Sequence, residues 1–392
     1  MTAMTRFDCF ALVAALSLAG CGTSSTTPPC TAEQAATCIA DQRGCELDAA
    51  GAPACVPCGV GRRVGPDGVC AAIEGTPLSH AFPEQTSMPG EEISGLCRSW
   101  TLGNETELWV HAVELSQDEA SHHSNWTFMP DTMFAGEDGI WRCRDRGYDQ
   151  LAGALAGGVL YAQSTQAAHE VQRFGEGAAI RIPPHARIIG DVHILNNTEA
   201  TVTGNVELTI YTVPRSQVQH ALTPFHIDYV ALDIPPRTTS RFVTECDLAA
   251  PLAAANEGVP VPVRLFYSLP HTHALGSRVF FQAVGGPRDG EMLLDVRGYN
   301  GEARGLAHSP SIDLTGVQAL RFGCEFENPR DEAVGYGIGD QEMCEMLGFI
   351  ESSVAFEARV SATTERTMDG TTPVLSGACE TIAFPWTGRA GE

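Results

Sequence analysis

The sequence predicts an all-β protein of two β-sandwich domains in tandem, preceded by a small disulfide-rich segment. Three observations support this fold class: apolar residues alternate with polar ones, proline and glycine punctuate the alternating runs, and cysteines crowd the first part of the chain. Roughly 310 residues of strand-rich chain exceed what one sandwich normally uses, so two are expected. The boundary is predicted near Arg215–Thr223, which gives sandwiches at 75–217 and 218–388.

The first 20 residues resemble an export signal. Arg6 precedes the apolar run Phe10–Ala19, which is too short for a comfortable membrane span. The run ends in Leu18-Ala19-Gly20-Cys21, which resembles a bacterial lipobox, where the peptide is cut before the cysteine and the thiol is lipidated. The alternative is a plain signal peptide that happens to hold a cysteine. Residues 21–29 follow as a polar tether. We therefore expect a protein of the bacterial cell envelope, outside the cytoplasm, whose membrane contact is the lipid on Cys21.

Cysteine usage indicates an oxidising compartment. Setting aside Cys9 and Cys21 leaves twelve of the fourteen cysteines, an even number that favours disulfides. Half of these fall in the segment 30–71, a density typical of small scaffolds that are cross-linked because they cannot build a core. They are Cys30, Cys38, Cys45, Cys55, Cys58 and Cys70. The Cys55-Val-Pro-Cys58 pair could bind zinc, but the segment has one such pair and no histidine, which favours disulfides.

The formal net charge of −24 argues against nucleic acid or an anionic membrane surface as a partner, because phosphate binding needs a basic face. The charge otherwise indicates a solvated surface and identifies no substrate.

Strand patterns are local and short. Apolar residues recur at every second position in the stretches 206–211, 261–267 and 279–281, and proline and glycine interrupt the chain at 182–191 and 284–291. Helical periodicity is weak and confined to Leu151–Leu155 and Leu248–Ala255.

Two histidines one residue apart lie in Leu269-Pro-His-Thr-His-Ala-Leu-Gly276. Side chains at positions i and i+2 share one face of a strand, so His271 and His273 could reach one metal ion. Pro270 cannot donate to a strand ladder, which places the pair where the strand ends or bulges. The alternative is two polar residues on an ordinary loop.

A second pair lies in Ser121-His122-His123-Ser124. Adjacent residues on a flat strand face opposite ways, so His122 and His123 can share one ion only if the backbone is bulged. The alternative places one histidine on the core face and the other in water.

A third motif is Gly339-Asp-Gln-Glu-Met-Cys344. The thioether of Met343 is a soft ligand that suits Cu(I), although methionine is more often a core filler. Met343 lies in a polar stretch and directly precedes Cys344. If Cys344 pairs with Cys324, the disulfide fixes the backbone beside the sulfur.

In chain order the motifs are His122-His123, then His271 and His273, then Met343. In this order they resemble the copper type II, ascorbate-dependent monooxygenases, the family of peptidylglycine α-hydroxylating monooxygenase and dopamine β-monooxygenase. The family has one more histidine between the two pairs, matched here by His193 in the stretch 189–195. The segments 158–162 and 232–236 also resemble family segments, and the resemblance covers roughly residues 80–385.

The resemblance implies two copper ions per chain, held in two jelly-roll sandwiches that face each other across a solvent-filled cleft. It implies that His122, His123 and His193 bind an electron-relay copper, and that His271, His273 and Met343 bind the catalytic copper. It also implies the disulfides Cys97–Cys143 and Cys246–Cys379, which complete a set with Cys324–Cys344. The implied reaction is hydroxylation of a C–H bond by O₂, with ascorbate or a similar one-electron reductant as co-substrate. A small-molecule or peptide-like substrate and a monomeric chain are expected.

Several positions depart from the amidating members of the family. Leu269 stands where they carry an arginine that holds a substrate carboxylate, and Leu347 stands where they carry a tyrosine. Glu345 replaces an asparagine-like residue after the methionine, and Ser124 replaces an apolar residue after the histidine pair. Amidation of a glycine-extended peptide is therefore not expected.

Two other functions remain open. One is a non-catalytic copper-binding or electron-transfer lipoprotein of the envelope, and the other is a β-sandwich adhesion or glycan-binding module. The remaining histidines are interpreted as surface or hydrogen-bonded structural residues; they are His80, His111, His169, His185, His220, His226 and His308.

Overall fold

A computed structural model describes residues 30–386 except for 41, 119, 164–166, 299–304 and 338–339. The predicted signal segment, Cys21 and the tether at 21–29 lie outside the described residues. The described chain divides into two compact units, one made of the residues up to Pro57 together with Val64–Cys70, and one made of Cys58–Arg63 and the chain from Ala71 onward. Within the described part, no helix is long and apolar enough to cross a membrane.

The cysteine-rich segment begins with a helix that the sequence did not predict. Its elements are α1 (Ala32–Ala40), β1 (Gly44–Leu47), β2 (Pro53–Val56), β3 (Arg62–Val64) and β4 (Cys70–Ala72). Ala35 and Cys38 are the buried residues of α1, which is too few for a helical period to stand out.

Disulfides hold this segment together. They join Cys30 to Cys45 and Cys38 to Cys55, and Cys58 and Cys70 are also disulfide-bonded. Oxidised sulfurs are not thiolate ligands, so the zinc alternative for Cys55 and Cys58 is wrong. The disulfides indicate a chain that matures outside the reducing cytoplasm.

The first sandwich consists of two main sheets. Its strands are β5 (Thr76–Ala81), β6 (Gln85–Ser87), β7 (Glu92–Thr101), β8 (Leu108–Gln117), β9 (Ser121–Pro130), β10 (Gly139–Arg142), β11 (Gly158–Ala162), β12 (His169–Arg173), β13 (Ala178–Ile182), β14 (Ala186–Leu195), β15 (Val202–Gly204), β16 (Val206–Thr212) and β17 (His220–Ala221), and helix α2 spans Gln150–Ala156. One sheet has the order β10-β7-β14-β9-β11 and the other β17-β13-β8-β16-β5, with β12 also paired to β8. A small ladder joins β6 and β15.

The second sandwich repeats this architecture. Its strands are β18 (Thr223–Tyr229), β19 (Asp233–Ile234), β20 (Thr238–Asp247), β21 (Arg264–His271), β22 (Gly276–Val284), β23 (Met292–Arg297), β24 (Leu306–Asp313), β25 (Ala319–Asn328), β26 (Val334–Gly335), β27 (Glu345–Glu351), β28 (Val354–Val360), β29 (Glu365–Asp369), β30 (Thr372–Ser376) and β31 (Glu380–Pro385), and helix α3 spans Ala249–Ala255. The sheet orders are β24-β21-β27-β18-β28-β31 and β23-β22-β25-β20-β30-β29, with a small β19-β26 ladder. The protein is therefore all-β, with two jelly-roll-type sandwiches after a disulfide-rich segment.

Alternation of apolar residues explains the cores. Leu208 and Ile210 of β16 pair across the ladder with Leu115 and Val113 of β8, and all four side chains are fully buried. The second core is built in the same way, from alternate residues of strands such as β25, where Phe322 and its neighbours on that face are inaccessible.

The chain changes sandwich between Ala221 and Thr223, within the predicted boundary region Arg215–Thr223. Strand β17 pairs in parallel with β13, so residues 220–221 belong to the first sandwich. The apolar alternation at 261–267 predicts a regular strand over the whole stretch, which is wrong. Strand β21 begins only at Arg264, and its register shifts between Leu265 and Tyr267. The two short helices at 150–156 and 249–255 agree with the weak helical periodicity in the sequence.

Three more disulfides lie in the two sandwiches. They are Cys97–Cys143, Cys246–Cys379 and Cys324–Cys344, the pairs that the resemblance implies.

Candidate metal centre

The first histidine group depends on a β-bulge. His193 of β14 pairs with His123 of β9, but the next residue, Ile194, pairs with Ser121, so β9 carries one extra residue at His122. This irregularity is the condition under which adjacent histidines can share an ion. The ring centroids of His122, His123 and His193 lie 5.0–5.1 Å apart, and one ligating atom from each falls within 4.8 Å of the others.

The ring of His193 is oriented by a carboxylate. Its Nε2 lies 2.9 Å from Oε1 of Glu92, and its Nδ1 is buried with no hydrogen-bond partner among the described residues. A proton on Nε2 therefore leaves the Nδ1 lone pair free. A carboxylate behind an imidazole is the usual outer-shell support of a metal-ligating histidine.

The second group lies where β21 ends. His271 is the last residue of the strand and His273 lies in the turn that follows, with ring centroids 5.2 Å apart and nearly perpendicular planes. Nδ1 of His273 lies 2.8 Å from the carbonyl oxygen of Gln341, and its Nε2 is buried with no partner in the described chain. Gly276 permits this turn, because a Cβ there would lie 2.1 Å from Oγ1 of Thr272.

The segment that carries Met343 is fastened to this turn. The carboxylate of Glu342 accepts hydrogen bonds from the backbone N–H of His273 at 2.8 Å and of Leu275 at 2.7 Å. Glu345 pairs with His271 across the β21–β27 ladder. The backbone of Met343 therefore runs beside the two histidines. Glu342 contacts the turn that carries His273, and Glu345 pairs with His271 of β21.

The two groups are in direct contact. Ring centroids lie 5.5 Å apart for His123 and His273, 5.7 Å for His123 and His271, and 6.3 Å for His122 and His273. The expectation of a solvent-filled cleft between the groups is wrong at this place. The cause is apolar packing between the sandwiches, since Tyr267 and Phe349 of the second sandwich belong to the hydrophobic cluster of the first.

Burial keeps these imidazoles neutral. Desolvation, followed by repulsion from neighbouring rings, lowers the pKa of His122 to about 3, and burial lowers the pKa of His271 to about 4. The same causes lower the pKa of His123 well below its ordinary value, and burial also lowers that of His273. Neutral imidazoles are the form that binds metal, so these four rings can accept a cation at pH 7.

A buried acid lies beside the second group. Burial alone would raise the pKa of Glu345, but its interactions with His226, His271 and Tyr336 together outweigh this effect and hold the pKa at about 2. Nε2 of His226 lies 3.8 Å from Oε2 of Glu345, and the Tyr336 hydroxyl donates to Oε1 at 2.5 Å. Glu345 thus places a negative charge next to His271, where a bound cation would be stabilised.

We predict that the metal-free protein loses stability as the pH falls from 6.5 to 4. Unfolded histidines bind protons below a pKa of about 6.5, whereas His122 and His271 in the folded chain do so only near 3 and 4. The unfolded state therefore binds more protons in this window, and stability rises with pH across it.

Urea denaturation at pH 7.5, 6.0 and 5.0 measures this loss. The double variant His122→Asn/His271→Asn should lose less stability over the same range than the wild type. Equal losses in the two proteins would show that these rings do not cause the pH dependence.

The structure places the other predicted residues as follows. Ser124 is buried and its Oγ accepts a hydrogen bond from the indole N–H of Trp126, which gives it a packing role. Several of the remaining histidines have protein partners, among them His169 with Glu114 and His220 with Glu351. Gly339 lies outside the described residues. The sequence patterns did not identify Glu92, Gln341 and Glu342 as residues that orient the histidines. No local pattern could have identified Glu92, because it is 101 residues from His193 in the chain.

No known family model matches the chain, and no curated protein matches it. Among solved structures, the chain is similar to the major capsid protein P2 from bacteriophage PM2, with 10% identity, a TM-score of 0.33 and coverage of 71% of this chain and 98% of that chain. It is also similar to a chain of Sulfolobus turreted icosahedral virus, with 8% identity, a TM-score of 0.20 and coverage of 72% and 62%. No functional conclusion follows from likenesses of this size.

Proposed function

We propose that the chain is a copper-dependent monooxygenase that hydroxylates a C–H bond with O₂ and a one-electron reductant such as ascorbate. The observation that carries the proposal is shared by His193 and His273. Each has one ring nitrogen facing a protein acceptor and the other buried with no partner among the described residues. Ligating imidazoles are oriented in this way, and the resemblance found in the sequence supports copper as the metal.

The donor sets fit copper in two roles. His122, His123 and His193 offer three imidazoles, and His271 and His273 with Met343 offer two imidazoles and a thioether. Imidazole suits copper in both oxidation states, whereas a thioether favours Cu(I). Bound copper would supply one-electron redox chemistry and O₂ activation.

The chain's own residues prepare these donors. Glu92 fixes the tautomer of His193, and Glu342 holds the backbone of the turn that carries His273. Glu345 balances part of a cation's charge beside His271. Burial lowers the pKa of the four imidazoles other than His193, so protons compete less with a metal ion for them.

The proposal also covers where the protein is located in the cell. We place the mature chain in the bacterial cell envelope, attached through a lipid on Cys21, and mass spectrometry of its amino terminus tests the anchor.

The function is tested by copper content and oxygen consumption. Equilibrium dialysis of the wild type should give two coppers per chain, and ascorbate should drive O₂ uptake above the rate of the same amount of free copper. Met343→Ile should retain Cu(II) but weaken Cu(I) binding at one site, because a hydrocarbon replaces the thioether donor. Met368→Ile is the matched control, since Met368 is 61% exposed.

Each outcome decides between the functions. Copper binding without O₂ uptake above free copper would favour a non-catalytic copper-binding or electron-transfer protein. Fewer than one copper per chain would reject both copper functions and favour an adhesion or glycan-binding module. Cu(I) binding that is equal in Met343→Ile and the wild type would remove Met343 from the ligand set.

A further inference from the structure

The two histidine groups belong to different sandwiches and meet ring against ring. The ring centroid of His123 in the first sandwich lies 5.7 Å from that of His271 and 5.5 Å from that of His273. The planes of His123 and His273 are inclined by only 24°. Neighbouring rings within each group lie 5.0–5.2 Å apart, which is nearly the same spacing. The five imidazoles therefore form one continuous cluster.

Apolar packing between the sandwiches holds the two groups together. Phe174 of the first sandwich packs edge-on against Phe349 and Tyr267 of the second, with ring centroids 4.8 and 5.7 Å apart. All three side chains are buried. The groups could move apart only by exposing these rings to water, which costs free energy in proportion to the apolar area. The spacing of the two groups is therefore a property of the folded chain.

This contact limits the distance between an ion bound to the first group and an ion bound to the second. A zinc ion lies about 2.0–2.1 Å from an imidazole nitrogen, so a metal ion lies about 3 Å from the centroid of the ring that binds it. Even on the far sides of His123 and His273, whose centroids are 5.5 Å apart, two ions would be at most about 12 Å apart. Carboxylates such as Glu92 and Glu345 raise the affinity for each ion separately, but they do not cancel the repulsion between the two ions.

Resting on the function proposed above, we propose that the five-histidine cluster selects two monovalent ions over two divalent ones. Cu(I) fills both groups, whereas a divalent ion in one group hinders a second divalent ion in the other. Repulsion grows with the product of the two charges, so it is about fourfold larger between divalent ions. At about 12 Å in bulk water it lowers the affinity for the second ion about 10-fold for divalent ions and about 2-fold for monovalent ions. Both factors are lower limits, because His123, His193, His271 and His273 are buried and buried charges are screened less.

A thermodynamic cycle measures the repulsion. The variant His271→Asn/His273→Asn keeps only the first group, and His122→Asn/His123→Asn/His193→Asn keeps only the second. Competition against chelators gives the copper association constant of each variant and the two constants of the wild type. One series uses Cu(II) without reductant, and the other uses Cu(I).

The products of these constants are then compared. In the wild type, the product of the two Cu(II) constants should be at least about 10-fold smaller than the product of the constants of the two variants. With Cu(I) the logarithm of this deficit should be about one quarter as large, because the product of the charges is smaller by that factor. A deficit that is absent with Cu(II), or equally large with Cu(I), would overturn the proposal.

The wild type alone gives a second test, which stands even if a variant fails to fold. The electron paramagnetic resonance spectrum of the chain with two Cu(II) ions should show a dipolar interaction that a sample with one Cu(II) per chain lacks. A two-copper spectrum that is the sum of two isolated ions would show that the ions do not lie close together, and it would overturn the proposal.

Copper content measured on the same samples separates this proposal from the proposed function. Two Cu(II) ions that bind independently would reject the selection by charge and leave the proposed function standing. Fewer than one copper per wild-type chain would reject the proposed function, and with it the selection by charge.

Discussion

Replacing His193 by alanine is expected to lower the copper content from two ions per chain to one. His193 supplies one of three imidazoles in its group, and its ligating atom lies within 4.8 Å of those of His122 and His123. The two remaining histidines belong to one bulged strand, so the group keeps two of its three imidazoles. Removal of an outer-shell partner alone typically costs 10–100-fold in metal affinity, so loss of the ligand itself should cost at least about that factor.

Glu92→Gln should give a smaller effect in the same direction. The Glu92 carboxylate lies 2.9 Å from Nε2 of His193, and an amide is a weaker, neutral acceptor that need not hold the same tautomer. We expect copper affinity at this group to fall about 10-fold, with the second group unchanged.

Competition against chelators of known affinity, followed by metal analysis, measures both variants. His185→Asn is the matched control, because His185 is exposed and its φ of 54° is one that asparagine tolerates. Two coppers in His193→Ala would remove His193 from the ligand set. A single copper in the wild type would contradict the two-site assignment and favour one site shared by both groups, whose rings lie as close as 5.5 Å.

The local geometry of the candidate metal centre could be predicted from the sequence. His122 and His123 can share one ion only if their strand is bulged. Strand β9 has this bulge, since His193 pairs with His123 and the next residue, Ile194, pairs with Ser121. Pro270 indicated a strand end near His271 and His273, and β21 ends at His271. These predictions succeed because strand geometry acts over two or three residues, a distance at which sequence order and spatial order agree.

Two features of the site could not be predicted in this way: the residues that orient the histidines, and the contact between the two histidine groups. Glu92 is 101 residues from His193 in the chain, and no spacing rule relates them. The contact between His123 and His273 depends on how the two sandwiches pack through Tyr267 and Phe349, which is a tertiary property. The alternation at 261–267 failed for a related reason, because the register shift after Leu265 breaks a period of two.

Removing the disulfide Cys324–Cys344 is expected to lower both stability and Cu(I) affinity. Cys344 directly follows Met343, and the disulfide ties it to Cys324 in the central part of the opposite sheet, where both residues are fully buried. In the chain-entropy description, a bridge with a sequence separation of 20 contributes about 3 kcal/mol. The double variant Cys324→Ala/Cys344→Ala should lose about that much, and it should hold Met343 less firmly beside His271 and His273.

The second disulfide of the same sandwich separates these two effects. Cys246–Cys379 spans 133 residues, so the same description gives it a larger contribution, about 5 kcal/mol. The variant Cys246→Ala/Cys379→Ala should therefore be the less stable protein in urea denaturation, yet it should keep Cu(I) affinity near that of the wild type. If Cu(I) affinity instead follows stability across the two variants, the Cys324–Cys344 bridge stabilises the sandwich without positioning the methionine. If only Cys324→Ala/Cys344→Ala loses Cu(I) affinity, the Cys324–Cys344 disulfide positions Met343 as a ligand. A general loss of stability would not produce this difference between the two variants.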